Sequence, residues 1–386
     1  MSISFDNTEI AFKIKNNAAL RKANFLFGII NNPFLVKIST SLASFSLSVH
    51  LPIKWAIKAT IFQQFCGGES LAESKPVVDN LKELGVLSIL DYAVEAKSGE
   101  VEFDQTLNEL IHVIEYAASA NVPFVSVKIT GLARFELLEK LQNKHTLTVA
   151  EQEEFRRVKE RVNVLCKTAS EKNVALLIDA EETWIQDPVD ALANGMMLQY
   201  NKTKAIVFNT VQLYRHDRLE YLKKCIQLSK DNNFIYGIKL VRGAYMEKER
   251  KRAQQMNYPS PIQPTKIATD IDFDRAVEAC IHSIQHVAFF CASHNEESHQ
   301  KAVEIMKTNG LKANHPNIYF SQLYGMSDHI TFNMANAGYN ACKYLPFGPV
   351  ADVMPYLIRR AQENTSIAGQ MSRELKLIKA ELNRRN

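Results

Sequence analysis

Two arginines stand side by side in "PYLIRRAQEN", residues 355–364, within a stretch of helical periodicity. Consecutive residues on a helix point about 100° apart, so Arg359 and Arg360 cannot share the centre of one solvent face. Two guanidiniums held together offer several charge-assisted donors to one anionic group. Further upstream, polar residues stud otherwise apolar runs. Lys128 lies in "PFVSVKIT", Asp179, Glu181 and Glu182 in "VALLIDAEE", Gln212 in "AIVFNTVQ", and Lys239 and Arg242 in "FIYGIKLVRGAY". His294 and Asn295 end "HVAFFCASHN", and Tyr344 follows Lys343 in "ACKYLPFGP". Each alone has an ordinary explanation, as half of a structural ion pair or the cap of the next helix. Their convergence asks for more, because charges in apolar strands are costly unless they are paired or used.

The elements that must position them form a rhythm. Those runs, together with "VLSILDYA" (86–93) and "NIYFSQLYGM" (317–326), are each followed by a longer, charged, helix-periodic segment. Strands alternating with helices predict an α/β fold with a parallel sheet, and eight of them predict a closed (βα)8 barrel of the TIM type. Chemistry in such barrels gathers where strands end and loops begin, which is where the polar residues fall. Residues 1–84 do not follow this rhythm and read as an N-terminal helical arm, 85–370 as the catalytic barrel and 371–386 as a helical tail. Pro355 predicts a break, with "YLIRRAQEN" beginning a fresh helix.

Composition narrows the class. A chain of 386 residues with 46% hydrophobic residues can bury a large core. A net charge of +4 is too mild for a nucleic-acid binder but leaves room for an anionic substrate or an acidic lipid surface. The six cysteines show neither CxxC nor a cysteine–histidine cluster at zinc spacing, and read as reduced thiols in a cytosol-like compartment with no metal site. "MSISFDNTEI" carries Asp6 and Glu9 and does not read as a signal or transit peptide. "LASFSLSVHLPIKWAIKATIF" is interrupted by His50, Lys54 and Lys58, so it reads as an amphipathic helix, packed or peripheral, rather than a membrane span.

Seven motifs in order, "VSVKITGL", "LLIDAEE", "KLVRGAYM", "CASHN", "QLYGMSDHIT", "KYLPFGP" and "YLIRRAQENTS", closely resemble the proline dehydrogenases, flavoenzymes that oxidise L-proline. The chain ends soon after the last motif, which resembles the monofunctional type. The resemblance implies a distorted barrel whose last helix lies over the C-terminal ends of the strands. It implies that Arg359 and Arg360 grip the substrate carboxylate, that Lys128 lies at the substrate close to Asp179, and that Glu69 of "GGES" pairs with Arg359 over the bound substrate. Tyr245, Leu323, Tyr344 and Tyr356 would wall the pyrrolidine ring, and Asp179 and Lys239 would be catalytic. The implied FAD contacts are Ala180, Gln212, Lys239, Arg242, Gly243, Ala244, Lys266, Ser293, His294 and Glu363. With no GxGxxG in the chain, FAD would be held without a Rossmann fold. Some relatives carry arginine where Lys239 stands; lysine keeps the charge but loses the planar fork.

The implied reaction passes a hydride from proline C5 to flavin N5, giving Δ1-pyrroline-5-carboxylate, the first step of proline catabolism to glutamate. Electrons would go on to a membrane quinone, which places the enzyme in the cytoplasm or peripherally on the inner membrane. A rival within the family is hydroxyproline dehydrogenase, which would want a smaller residue than Tyr344. A rival from another class is a Schiff-base aldolase using Lys128. That reading leaves "KLVRGAY" and the paired arginines unexplained, and a non-catalytic barrel would require lost site residues.

Overall fold

Each of the eight apolar runs becomes a strand: β1 (Leu87–Tyr92), β2 (Phe124–Val127), β3 (Ala175–Ile178), β4 (Val207–Gln212), β5 (Tyr236–Val241), β6 (Val287–Ala292), β7 (Ile318–Leu323) and β8 (Ala341–Phe347). They close in sequence order into a barrel, with helices between successive strands. The structure is a computed structural model and describes residues 3–32, 34, 54–93, 98–366 and 370–386. Most of "LASFSLSVHLPIKWAIKATIF" therefore lies outside the described residues. By Cα proximity the chain divides into two compact units. The first comprises Met1–Val94, His294–Glu297 and Phe320–Asn386, the second Glu95–Ser293 and Ser298–Tyr319.

In the second unit the strand period of two explains how a site is built on a packed floor. Phe124, Phe208 and Phe290, from alternate strands, are fully buried and meet edge to face, with ring centroids 4.9 Å apart for Phe124–Phe290 and 5.3 Å for Phe208–Phe290. Alternate strands supplying one layer of side chains is the filling expected of such a barrel. Two residues further along the same face stand Ser126 on β2 and Thr210 on β4, and two further again Lys128 and Gln212. Lys239 is in register with both Thr210 and Phe290. The face thus changes from aromatic to polar over two steps of β2 and β4.

In the first unit the helix Asn17–Ile30, the π-helical turn Lys58–Phe62 and the short helix Gln63–Phe65 share one apolar cluster with Val353, Tyr356, Leu357 and Ile378. The arm is therefore packed along part of its length. The helix that carries the arginine pair runs unbroken over Val350–Ser366, with Pro355 inside it, so the predicted break does not occur. Proline removes the hydrogen bond to the carbonyl four residues back. Here that residue is Ala351, and both Ala351 and Pro355 are exposed, so water can satisfy the carbonyl. On β7 and β8 the faces divide cleanly. Leu323 and Tyr344 are in register, whereas Gln322 and Lys343 turn the other way, to Thr331 and Asp328 of the helix Asp328–Asn336.

Candidate active site

Asp179, just past the end of β3, is the centre of the charged layer in the second unit. Its Oδ1 accepts from Ser126 Oγ at 2.9 Å and from Lys239 Nζ, and its Oδ2 accepts from Lys128 Nζ at 3.2 Å. All three donors come from the same strand face, and Asp179 and Lys239 are 8% and 5% exposed. Two lysines against one aspartate leave the group with one net positive charge. Lys128 and Asp179 are thus brought together as the sequence predicts, with Lys239 as a third member.

Two residues on, Glu181 is buried and turns its carboxylate to Thr130, accepting from the main-chain N–H at 3.1 Å and the hydroxyl at 2.5 Å. Burial pushes its carboxyl up to about 7, although the Thr130 hydrogen bonds oppose the shift. Its carbonyl accepts from Gln212 Nε2 at 2.8 Å, which fixes the side chain at the end of β4. Ala180, between the two acids, is half-buried.

A cationic shelf lies at the ends of β5 and β6. Arg242 donates to Asp270 at 2.7 Å, Ser293 at 2.6 Å and Ser298 at 3.0 Å, with its guanidinium 4.4 Å from the Phe273 ring centroid. Lys266 opens the helix Lys266–His282, whose cap Thr265 accepts from Ala268 N–H, and its ammonium reaches the other oxygen of Asp270 at 2.5 Å. Three predicted flavin contacts, Arg242, Lys266 and Ser293, therefore share one network. Gly243 has φ +137°, and a Cβ there would lie 2.5 Å from the Tyr214 ring. Its lack of a side chain is required by packing as well as by backbone conformation. Ala244 and Tyr245 follow, half-buried, and Tyr245 precedes the first turn of the helix Met246–Gln255.

The first unit holds the remaining predicted residues. Arg360 is 9% exposed and its guanidinium lies 5.2 Å from the Tyr356 ring centroid, while Arg359 is half-buried. The buried Tyr344 stands beside Leu323 in register. His294 Nδ1 is 2.9 Å from Ser327 Oγ. Glu69, ahead of the cap Ser70, pairs in this structure with Lys58 Nζ at 2.6 Å, and Lys58 also reaches Glu73 at 3.1 Å. Glu363 lies on the helix Val350–Ser366, but its side chain falls outside the described residues.

Comparison with known proteins settles the family. The proline dehydrogenase family model matches residues 75–373. The chain belongs to the proline dehydrogenase family. Its relatives include hydroxyproline dehydrogenase of Xenopus laevis, 32% identical, with the match covering 100% of this chain and 90% of that one. Mitochondrial proline dehydrogenase 1 of Dictyostelium discoideum is also 32% identical, over 88% of this chain and 67% of its own. The carbapenem antibiotics biosynthesis protein CarD of Pectobacterium carotovorum is 34% identical, over 83% of each. Among solved structures, proline utilization A of Bdellovibrio bacteriovorus aligns with TM-score 0.75 at 21% identity, covering 94% of this chain. The chain spans only 38% of that larger protein, and the likeness speaks for the barrel fold alone.

For a proline dehydrogenase, several site features lay beyond sequence reading. Asp270 was not singled out, although it stands four residues after Lys266 on a predictable helix, a spacing that signals an ion pair. Nothing in the sequence marks Ser126 and Thr130 as the partners of Asp179 and Glu181. Lys58 as the holder of Glu69 left no sequence signal, because the two meet only through the turn at Lys58–Phe62.

Proposed function

We propose that this chain oxidises L-proline to Δ1-pyrroline-5-carboxylate with FAD as cofactor and a membrane quinone as the final electron acceptor. The observation that carries the reading is the buried Arg360 over Tyr356, on the helix that follows β8, in a chain of this family. A buried guanidinium is costly and makes a strong receptor for a single carboxylate.

The donor set in the second unit fits FAD. Gln212, Lys239, Arg242, Lys266 and Ser293 are all donors at or near strand ends, and two cations sharing Asp270 retain positive charge for a pyrophosphate. FAD, when bound, supplies the two-electron acceptor for the hydride that leaves C5. The protein's own residues do the rest. Arg359 and Arg360 bind the carboxylate and fix the ring's orientation. Tyr245, Leu323, Tyr344 and Tyr356 enclose the ring and exclude water. The amine nitrogen must lose its proton so that its lone pair can form the C5=N bond as the C5–H bond breaks. The net positive charge of Lys128, Asp179 and Lys239 lowers the pKa of a nearby ammonium and favours that loss. Glu69 would leave Lys58 and pair with Arg359 once substrate is bound.

No described helix is long and apolar enough to cross a membrane. Access to a quinone would come from the arm, where Phe25, Phe34 and Trp55 are 66%, 69% and 74% exposed and the cations Lys13 and Arg21 are exposed as well. Such a mixture of bare aromatics and cations suits an acidic lipid surface.

The deciding experiment is anaerobic addition of L-proline to the FAD-loaded enzyme. Bleaching of the flavin bands, lost in Arg360→Met at the same proline concentration, is the expected result. A protein that does not take up FAD would overturn the reading. The full-length match to a hydroxyproline dehydrogenase favours a second reading. The buried Tyr344 beside Leu323 argues for the unsubstituted ring, and faster bleaching by 4-hydroxyproline than by proline would reverse that choice.

A further inference from the structure

Lys343 faces away from Tyr344, because neighbours on a strand point to opposite sides. On that side, within the first unit, lies a cavity of about 410 Å³ bounded by the helices Asn17–Ile30, Gln63–Phe65, Leu71–Glu83 and Asp328–Asn336 and by β8. That volume falls in the range of small-molecule pockets. Its wall combines ionic groups, the polar side chains of Gln63, Gln64, Asn80 and Tyr324, and apolar surface. Asp328 joins Lys15 Nζ at 2.7 Å through Oδ2 and Lys343 Nζ at 2.8 Å through Oδ1. Lys343 also donates to the Met326 carbonyl at 2.5 Å and the Leu323 carbonyl at 3.3 Å, so its ammonium is fully engaged. Lys15 gives one hydrogen bond to Asp328, and Lys22 gives one to Gln63 Oε1 at 2.6 Å. An ammonium has three donors, so both Lys15 and Lys22 have capacity left among the described residues. Three lysines against Asp328 and the nearby buried Glu374, which acts on both Lys15 and Lys343, leave this region with a surplus of positive charge. Ile14, Val77, Leu81 and Phe332, also in the wall, offer hydrocarbon.

We propose that this cavity is a binding site for an amphipathic monocarboxylate, an anionic head on Lys15 and Lys22 with an aromatic or branched aliphatic body against the apolar wall. Asp328, fixed beside the head, selects against a dianion such as phosphate. Such binding would be independent of the reaction proposed above.

The test is calorimetric titration of the FAD-loaded, full-length protein with 2-naphthoate and with its neutral counterpart, 2-naphthamide. Saturable binding of naphthoate is expected, at least tenfold tighter than that of the amide. Lys22→Met, which removes the head contact, and Ala19→Trp, which fills the cavity from the arm helix, should each weaken naphthoate at least tenfold. Arg360→Met should leave it unchanged. Lys22 and Ala19 lie outside the Asp328 ion pairs, so both variants are expected to fold, with circular dichroism as the control. The proposal fails if naphthoate does not saturate, if the amide binds equally well, or if both cavity variants bind like the parent. It also fails if Arg360→Met abolishes binding, since the carboxylate would then sit at the arginine pair.

Discussion

Two buried aspartates in this protein are each held by two lysines, in different surroundings. Asp179 draws Lys128 and Lys239 from strands of the same unit, all on one strand face, with Ser126 as a further donor. Asp328 draws Lys15 from the arm and Lys343 from the opposite face of β8 to the one that carries Tyr344. Burial opposes ionisation of Asp328, but the charges of Lys15 and Lys343 outweigh it and hold its carboxyl below the usual range. The pair physics is shared; the neighbours differ. Beside Asp179 lie a second acid that titrates near neutrality and a row of donors at strand ends. Beside Asp328 lie main-chain carbonyls that use up the rest of Lys343. The Asp328 triad ties segments 313 residues apart together, and the Asp179 triad, in the function proposed above, tunes the chemistry.

Substituting asparagine at each aspartate is the sharpest way to separate them. Asp179→Asn should lower kcat/KM for proline by about 10²–10⁴-fold; a loss below tenfold would remove Asp179 from the chemistry. Asp328→Asn should leave the turnover of the folded fraction intact and destabilise the fold by about 3 kcal/mol, because two buried lysines then face a neutral amide. Urea unfolding measures this, and a stable but inactive variant would break the distinction. The pH dependence of stability reports on Glu181. The unfolded chain gives up this proton near pH 4.5 while the folded protein keeps it to about 7. This group therefore stabilises the fold below pH 4.5, and its contribution is lost on rising to 7, by at most about 3 kcal/mol. Glu181→Gln should flatten that part of the curve; an unchanged slope would show that Glu181 titrates normally. The smallest effect belongs to Lys58→Met. Exposed ion pairs are weak, so Tm should hold, and releasing Glu69 should lower the KM for proline by less than about fivefold. A raised KM would mean that Lys58 itself assists binding.

The barrel was legible because burial writes itself into sequence with a period. The run 86–93 became β1 at Leu87–Tyr92, and each of the other seven contains its strand, although 123–130, 174–182 and 234–245 run several residues past the strand end. Lys128 and Asp179 stood out as charges in apolar company, and so they were recoverable. Asp328 was not, because an ion pair between residues 15 and 328 leaves no periodic trace. Lys343 was noticed only as the neighbour of Tyr344, since nothing local says which strand face is which. Pro355 misled because a helix tolerates proline where the orphaned carbonyl meets water, and the exposure of Ala351 is a tertiary fact. The titration of Glu181 likewise depends on burial that a strand-end position does not reveal.

The Lys15–Asp328 contact spans 313 residues, which has a consequence for how the chain comes into being. The arm leaves the ribosome before the barrel, yet the carboxylate that Lys15 joins is made 313 residues later. Until then Lys15 has no carboxylate to join, and Phe12, Leu20 and Phe27 wait for Val353 and Leu357 to cover them. Contacts of such long sequence separation form slowly, and exposed apolar surface during synthesis invites aggregation. The arm is thus a segment that stays without these contacts while the intervening residues are made.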